Sequence, residues 1–396
     1  MTNIRYFRLI IILGSLTALA PFSIDMYLPG FPAIAKDLGT GIGRVGLSLS
    51  SFFIGVSAGQ LLYGPLLDRY GRKKPLYLGL ILYVLSSIAC ANASTIESLI
   101  LLRFIQAIGA CSAGVAAVAM VRDIFPVEEN AKVFGMLMLV VGASPMIAPT
   151  AGGYVTSEYG WHTVFMILAS MGAVIMALVI FGLPESHKPD PSFSLKPKFI
   201  INNFLSVLRE PKFYTYAACG AISIAGLLTY VSGSPLLFME VFKVGEKMYG
   251  WIFAVLSVGF IGSSNLNSIL LKRYSSERLI RSALTVQVFI ALILAGGTWF
   301  NIFGLLPTLA LIFLYLCCIG FVLPNTSALA MAPFADNAGS ASSLLGAGQM
   351  GVGALTTVLL SVFNNHTAAP MTIIMSLTAV TGLLVFTTGR KMIIQF

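Results

Sequence analysis

Charge is what this sequence has least of. Asp, Glu, Lys and Arg supply 10% of its 396 residues, against about a quarter in a soluble domain. With 57% hydrophobic residues and a mean hydropathy of +0.90, a soluble fold is excluded and an integral membrane protein is implied. Histidine is nearly missing as well. His162, His187 and His366 lie scattered near segment ends, too far apart in sequence to suggest a metal site. The five cysteines, Cys90, Cys111, Cys219, Cys317 and Cys318, all fall inside apolar runs without Cys-x-x-Cys spacing, so they read as small buried hydrophobes. The chain has no Gly-x-x-x-x-Gly-Lys-Ser/Thr, so ATP is not a built-in energy source. Gly346-Ala-Gly348-Gln-Met-Gly351 has dinucleotide-loop spacing, but no strand precedes it and close helix packing accounts for it. No cofactor is expected.

The charge that is present leans one way, 24 Lys and Arg against 15 Asp and Glu. A nucleic-acid partner would need a basic face on a soluble fold; here the cations flank apolar segments, where they set topology. Runs of the length needed to span a bilayer lie at about 9–30, 43–66, 76–94, 98–121, 133–155 and 162–183, and again at about 213–238, 250–271, 280–299, 304–330, 342–362 and 370–388. Counting cations in alternate loops puts 19 on the side of the termini and 4 on the other, with Arg103 inside a segment. Both termini are therefore expected in the cytoplasm. Arg5, Arg8 and the Ala-x-Ala at 18–20 imitate a signal peptide, but Pro21 after the cut and a counterpart segment in the second half argue against cleavage.

Leu66-Leu-Asp-Arg-Tyr70 is echoed by Leu270-Leu-Lys-Arg-Tyr274, 204 residues on. The same offset sets Arg8 on Lys212, Asp25 on Thr229 and Arg103 on Pro307. The reading is an all-α protein of two six-helix halves, 1–187 and 213–396, joined by a cytoplasmic linker at 188–212 that Pro189, Pro191 and Pro197 keep extended. Parallel repeats of this kind build transporters with a substrate site between the halves, so a transporter and not an enzyme is expected.

Few ionisable residues sit inside the spans, and each costs free energy there unless it faces a cavity, a partner or a pathway. Asp25 and Arg103 lie at similar depth and are able to meet, as a proton site; alternatively Asp25 is an interfacial carboxylate and Arg103 snorkels. Gln106 lies one turn from Arg103, and Asn325 is a counterpart in the second half, each equally fit for an interhelical hydrogen bond. Gly142, Pro145, Pro149, Gly152 and Gly153 crowd one segment, as a gating helix or as close packing. The loop Gly64-Pro-Leu-Leu-Asp68-Arg69-Tyr-Gly71-Arg72-Lys73-Lys-Pro75 supplies a tight turn and a block of cations that resists crossing the bilayer.

Gly64, Asp68, Arg69, Gly71, Arg72 and Lys73 match the loop 2–3 motif of the major facilitator superfamily, and over nearly its whole length the chain resembles that superfamily's twelve-helix drug:proton antiporters. It is most similar to the bicyclomycin and chloramphenicol resistance (Bcr/CflA) branch. Arg103-Phe-Ile-Gln106 resembles the segment 4 motif, with Ala107 in place of glycine, and Pro149, Gly152 and Gly153 resemble the antiporter motif, with Ala148 in place of glycine. Ile24-Asp25-Met-Tyr-Leu-Pro-Gly-Phe-Pro32 resembles the branch's first-helix signature, whose aspartate couples proton and drug. The resemblance implies efflux of small, largely hydrophobic drugs in exchange for protons, from a monomer in a bacterial inner membrane, powered by the proton gradient without a cofactor. Export of an endogenous metabolite or siderophore is the alternative; a non-transporting sensor is a third reading. It also implies a latch in which Asp68 sits against the start of segment 11, near Ser340 and Ser342, and Arg72 pairs with Asp123.

Overall fold

The computed structural model describes residues 3–190, 195–334, 338–363 and 367–395; His366 and Pro191 lie outside the described residues. The fold is all-α. Its helices are α1 (Asn3–Asp25), α2 (Phe31–Asp37), α3 (Ile42–Tyr70), α4 (Lys73–Ala91), α5 (Ile96–Ile124), α6 (Val127–Tyr159) and α7 (Trp161–Gly182). A linker helix α8 (Pro197–Leu208) leads to α9 (Pro211–Pro235), α10 (Glu246–Leu270), α11 (Ser276–Trp299), α12 (Leu305–Met331), α13 (Ala338–Val362) and α14 (Ala369–Gln395). Among the described residues, twelve spans are long and apolar enough to cross a membrane, the first running through α1 and α2. The protein is a multi-pass membrane protein.

The helix ends follow local chemistry. Thr95 caps α5 by accepting from the Ser98 amide at 3.2 Å, and Ser275 caps α11 in the same way at 3.4 Å. Gly71 ends α3 with φ +81°, a left-handed conformation that a side chain resists, and a Cβ there would lie 3.1 Å from the His187 carbonyl oxygen.

One expectation, the extended linker, needs correction. Within the first span, α1 stops at Asp25, Leu28–Gly30 form a 3-10 turn, and α2 carries the chain to Asp37. Pro29 and Pro32 lack the amide hydrogens that an unbroken α-helix would need, which makes this the natural break. The linker is not extended throughout. Pro197 occupies the start of α8, where its missing donor costs nothing and its fixed φ favours the helix, and Val207 of α8 is fully buried.

Helices α1 and α3–α7 pack mainly on one another, as do α9–α14. Two long seams join these sets. Along the α3–α13 seam the Ser57 hydroxyl donates to the Ala347 carbonyl at 2.8 Å; along the α6–α10 seam the Thr150 hydroxyl donates to the Gly250 carbonyl at 3.2 Å. Because lipid is as apolar as leucine, hydrogen bonds and close backbone packing, more than apolar burial, hold such seams together.

Candidate functional site

Asp25 is the last residue of α1, 6% exposed, and makes no hydrogen bond or ion pair among the described residues. The turn that follows it packs against α6, α9 and α10. A Cβ on Gly152 of α6 would collide with the Met26 carbonyl, so that glycine lets α6 press on the backbone beside Asp25. Gly153 meets the Glu246 carbonyl of α10 in the same manner, and Pro149 and Thr150 back onto Gly250. Gly142 approaches Ile261 of α10, while Pro145 and Pro149 are accommodated inside an unbroken α6. The glycines of this run thus serve close approach at both neighbours of α6.

Arg103 and Asp25 do not meet. Arg103 is fully buried, with one terminal nitrogen donating to the Ser23 carbonyl at 2.9 Å and the other to Gln106 Oε1 at 2.6 Å. Its guanidinium lies 4.2 Å from the Tyr27 ring centroid, 4.3 Å from that of Phe52 and 5.6 Å from that of Phe165. Gln106 passes the network on to the Ser87 hydroxyl at 2.7 Å, and Ser23 shares a hydrogen bond with the Tyr83 hydroxyl at 2.8 Å. Residues two apart on a helix point about 200° away from each other, so the face of α1 that carries Ser23 turns Asp25 away from Arg103. Asn325 is not a cross-set partner either: it donates to Asn267 Oδ1 at 2.7 Å and to the Phe321 carbonyl at 2.8 Å, tying α12 to α10.

A buried cation held by rings and neutral acceptors depends on guanidinium geometry, because an ammonium cannot face two acceptors and two rings in one plane. Arg103→Lys is therefore expected to lower transport by about tenfold, with a reduced thermal midpoint in detergent, despite conserving charge. Wild-type transport and midpoint in that variant would show that charge alone suffices.

At the end of the bundle that carries the basic loops, Arg72 is clamped between two helices. Its Nη1 donates to Asp68 Oδ1 at 2.7 Å and its Nε to Asp123 Oδ2 at 2.8 Å, with Asp123 also accepting from the Ser186 hydroxyl at 2.9 Å. Burial works against the Arg72 charge, but the two carboxylates outweigh it and hold the group's pKa above its ordinary value. Asp68 turns to Arg72 and does not bond the start of α13; Ser340 and Ser342 line the same cavity of about 360 Å³, together with Arg122, Gln60 and Phe204. Gly64 leaves room for Ser343, whose hydroxyl would lie 3.1 Å from a Cβ there. Arg69 lies over the ring of Tyr70.

Sequence reasoning missed Glu185. Its carboxylate accepts from the amides of Arg72 at 2.8 Å and Lys73 at 3.1 Å, capping the start of α4, while Lys73 Nζ donates to the Leu183 carbonyl at 2.8 Å. The available signal was an acidic residue just after Pro184, opposite a helix start without a capping side chain of its own.

A family model described as the Major Facilitator Superfamily matches residues 13–357. A Bacillus subtilis protein named uncharacterized MFS-type transporter YdgK is 35% identical over 95% of this chain and 93% of its own length. The Haemophilus influenzae bicyclomycin resistance protein homolog is 32% identical over 98% and 97%, and a Klebsiella pneumoniae multidrug resistance protein MdtL 31% identical over 85% and 84%. Among solved structures, a D-xylose-proton symporter superposes with a TM-score of 0.77 at 14% identity, covering 96% of this chain and 97% of that one. An inward-facing, occupied bacterial Spinster homolog gives 0.75 at 15% identity, covering 99% and 98%. At those identities the likeness concerns the fold.

Proposed function

Since the chain belongs to the major facilitator superfamily, whose members are transporters, we propose that it exports small, largely hydrophobic drugs in exchange for protons. The observation that carries this reading is Asp25, a buried intramembrane carboxylate without a counter-ion, set where α1, α6, α9 and α10 converge. A carboxylate so placed binds and releases a proton as access alternates, and an entering substrate competes for the same space. The names of the Haemophilus and Klebsiella relatives support drugs as the cargo. The bundle works as two six-helix halves, 1–187 and 213–396, in a bacterial inner membrane. Both termini face the cytoplasm, where 19 of the 24 cations fall. The cavity beside Asp68, Arg72 and Asp123 then opens to the cytoplasm and admits cargo, and the Arg72 clamp tunes how readily that side opens.

Everted vesicles from a pump-deficient host test the proposal. Respiration acidifies their lumen, so addition of a transported drug is expected to alkalinise it, and collapsing the pH gradient is expected to stop drug uptake. Drug uptake that persists without the gradient, or uptake without proton movement, would reject antiport.

A further inference from the structure

The cavity at the basic end reaches deeper than the Arg72 clamp. Its four charged lining residues, Asp68, Arg72, Arg122 and Asp123, lie within a turn of the helix ends there, and Arg72 bonds both carboxylates. Gln60 and Gln349 line it further in, Gln60 ten residues from the Tyr70 end of α3 and Gln349 eleven from the Ala338 start of α13. Both are thus about 15 Å from that end, close to half of a bilayer core about 30 Å thick. One turn of α13 organises the two amides. A Cβ on Gly346 would come within 2.9 Å of Gln60 Cδ, 3.0 Å of its Oε1 and 3.1 Å of its Nε2, so the missing side chain is what lets the Gln60 amide lie against α13. Gln349 follows three residues on, a neighbour on the same face, and its Nε2 passes Gly220 of α9, 3.7 Å from where a Cβ would stand. The amides come from both helix sets, α3 in the first and α13 in the second. Neither makes a hydrogen bond among the described residues, so each offers the cavity a carbonyl acceptor and an N–H donor.

We infer that Gln60 and Gln349 are specificity-determining residues that hold an uncharged cargo by a group that both donates and accepts hydrogen bonds, an amide above all. The apolar lining between them and the charged end, Val115 and Val118 of α5 with Leu345 of α13, takes the hydrophobic body of the molecule. A lipophilic cation finds no free carboxylate in this cavity, because Asp68 and Asp123 are bonded to Arg72, and Arg122 adds a positive charge beside them. An amide, in contrast, satisfies a carbonyl and an N–H that otherwise face only water. The inference rests on the export reading, whose cargo class it narrows from hydrophobic drugs to neutral ones that carry a donor and an acceptor together.

Two neutral probes of one shape test it: tritiated benzanilide, an amide, and phenyl benzoate, its ester counterpart, which lacks the N–H. Binding to the purified protein in detergent is read by scintillation proximity, without any gradient. Wild type should bind benzanilide about tenfold more tightly than phenyl benzoate, because the ester leaves a glutamine carbonyl unmatched. Gln60→Leu and Gln349→Leu should each weaken benzanilide binding by about tenfold, and in the double variant the preference for amide over ester should fall below about twofold. Asn203→Ala, which alters the same cavity from α8, should leave the preference unchanged. The wild-type comparison needs no variant, so a substitution that unfolds the protein does not decide the matter. No benzanilide binding, equal affinity for the two probes in wild type, a preference that survives in the double variant, or tetraphenylphosphonium bound as tightly as benzanilide would each overturn the inference. A protein that shows the expected preference but moves no drug in everted vesicles would reject the export reading and retain the site.

Discussion

Asp25→Asn is expected to abolish proton-driven export while the protein still inserts and folds. Asn has the same shape and its amide makes hydrogen bonds, but it cannot take up and release a proton near neutral pH. Because Asp25 has no ion pair or hydrogen bond among the described residues, its replacement strands no partner, and a large loss of stability is not expected. In proteoliposomes, uptake driven by an imposed pH gradient should fall at least about a hundredfold, roughly 2.7 kcal/mol in the coupled step. Exchange of labelled for unlabelled drug at equal pH should persist, since it requires the conformational cycle without net proton movement. The split between the two assays is the informative quantity. Near-normal gradient-driven uptake would remove Asp25 from the coupling role, and loss of both assays together would make it a residue of folding or of substrate binding instead.

The frame of the molecule was readable in the sequence because the bilayer imposes it. Twelve runs of spanning length correspond to the twelve spans, and Gly71 ended a helix where only a turn fits between Tyr70 and Arg72. What failed was detail that depends on which way a side chain faces. Equal depth suggested a pairing of Asp25 with Arg103, yet depth says nothing about azimuth, and Ser23 took the face that Arg103 sees. Asn325 has hydrogen-bonding capacity that either helix set was able to satisfy, and α10 satisfies it through Asn267. The linker prolines suggest an extended segment, whereas a proline at the first position of a helix is compatible with it, as Pro197 shows at the start of α8. Glu185 carried no motif at all and became visible only through geometry, by what it bonds.

The Arg72 clamp separates two roles that the loop sequence combines. If its cations served only to fix topology, Arg72→Ala would be mild, since Arg69, Lys73 and Lys74 remain as a block on the same side. The geometry says otherwise. The Asp123 side chain is 17% exposed and loses its cation in Arg72→Ala, keeping only the Ser186 hydroxyl, so a partly desolvated carboxylate is left without a counter-ion. Asp68 loses the same partner, but at 46% exposure water compensates most of that loss. Arg72→Ala should therefore lower both the thermal midpoint and transport, the latter by more than tenfold. Asp68→Asn leaves the Arg72–Asp123 pair intact, so its midpoint should stay near wild type. Its effect should fall on turnover, severalfold, with the drug's apparent affinity within about twofold, because Asp68 belongs to the Arg72 clamp at the basic end of the bundle. A large affinity loss in Asp68→Asn with normal turnover would place Asp68 in substrate binding. An Arg72→Ala protein with wild-type midpoint and transport would return the loop to topology alone.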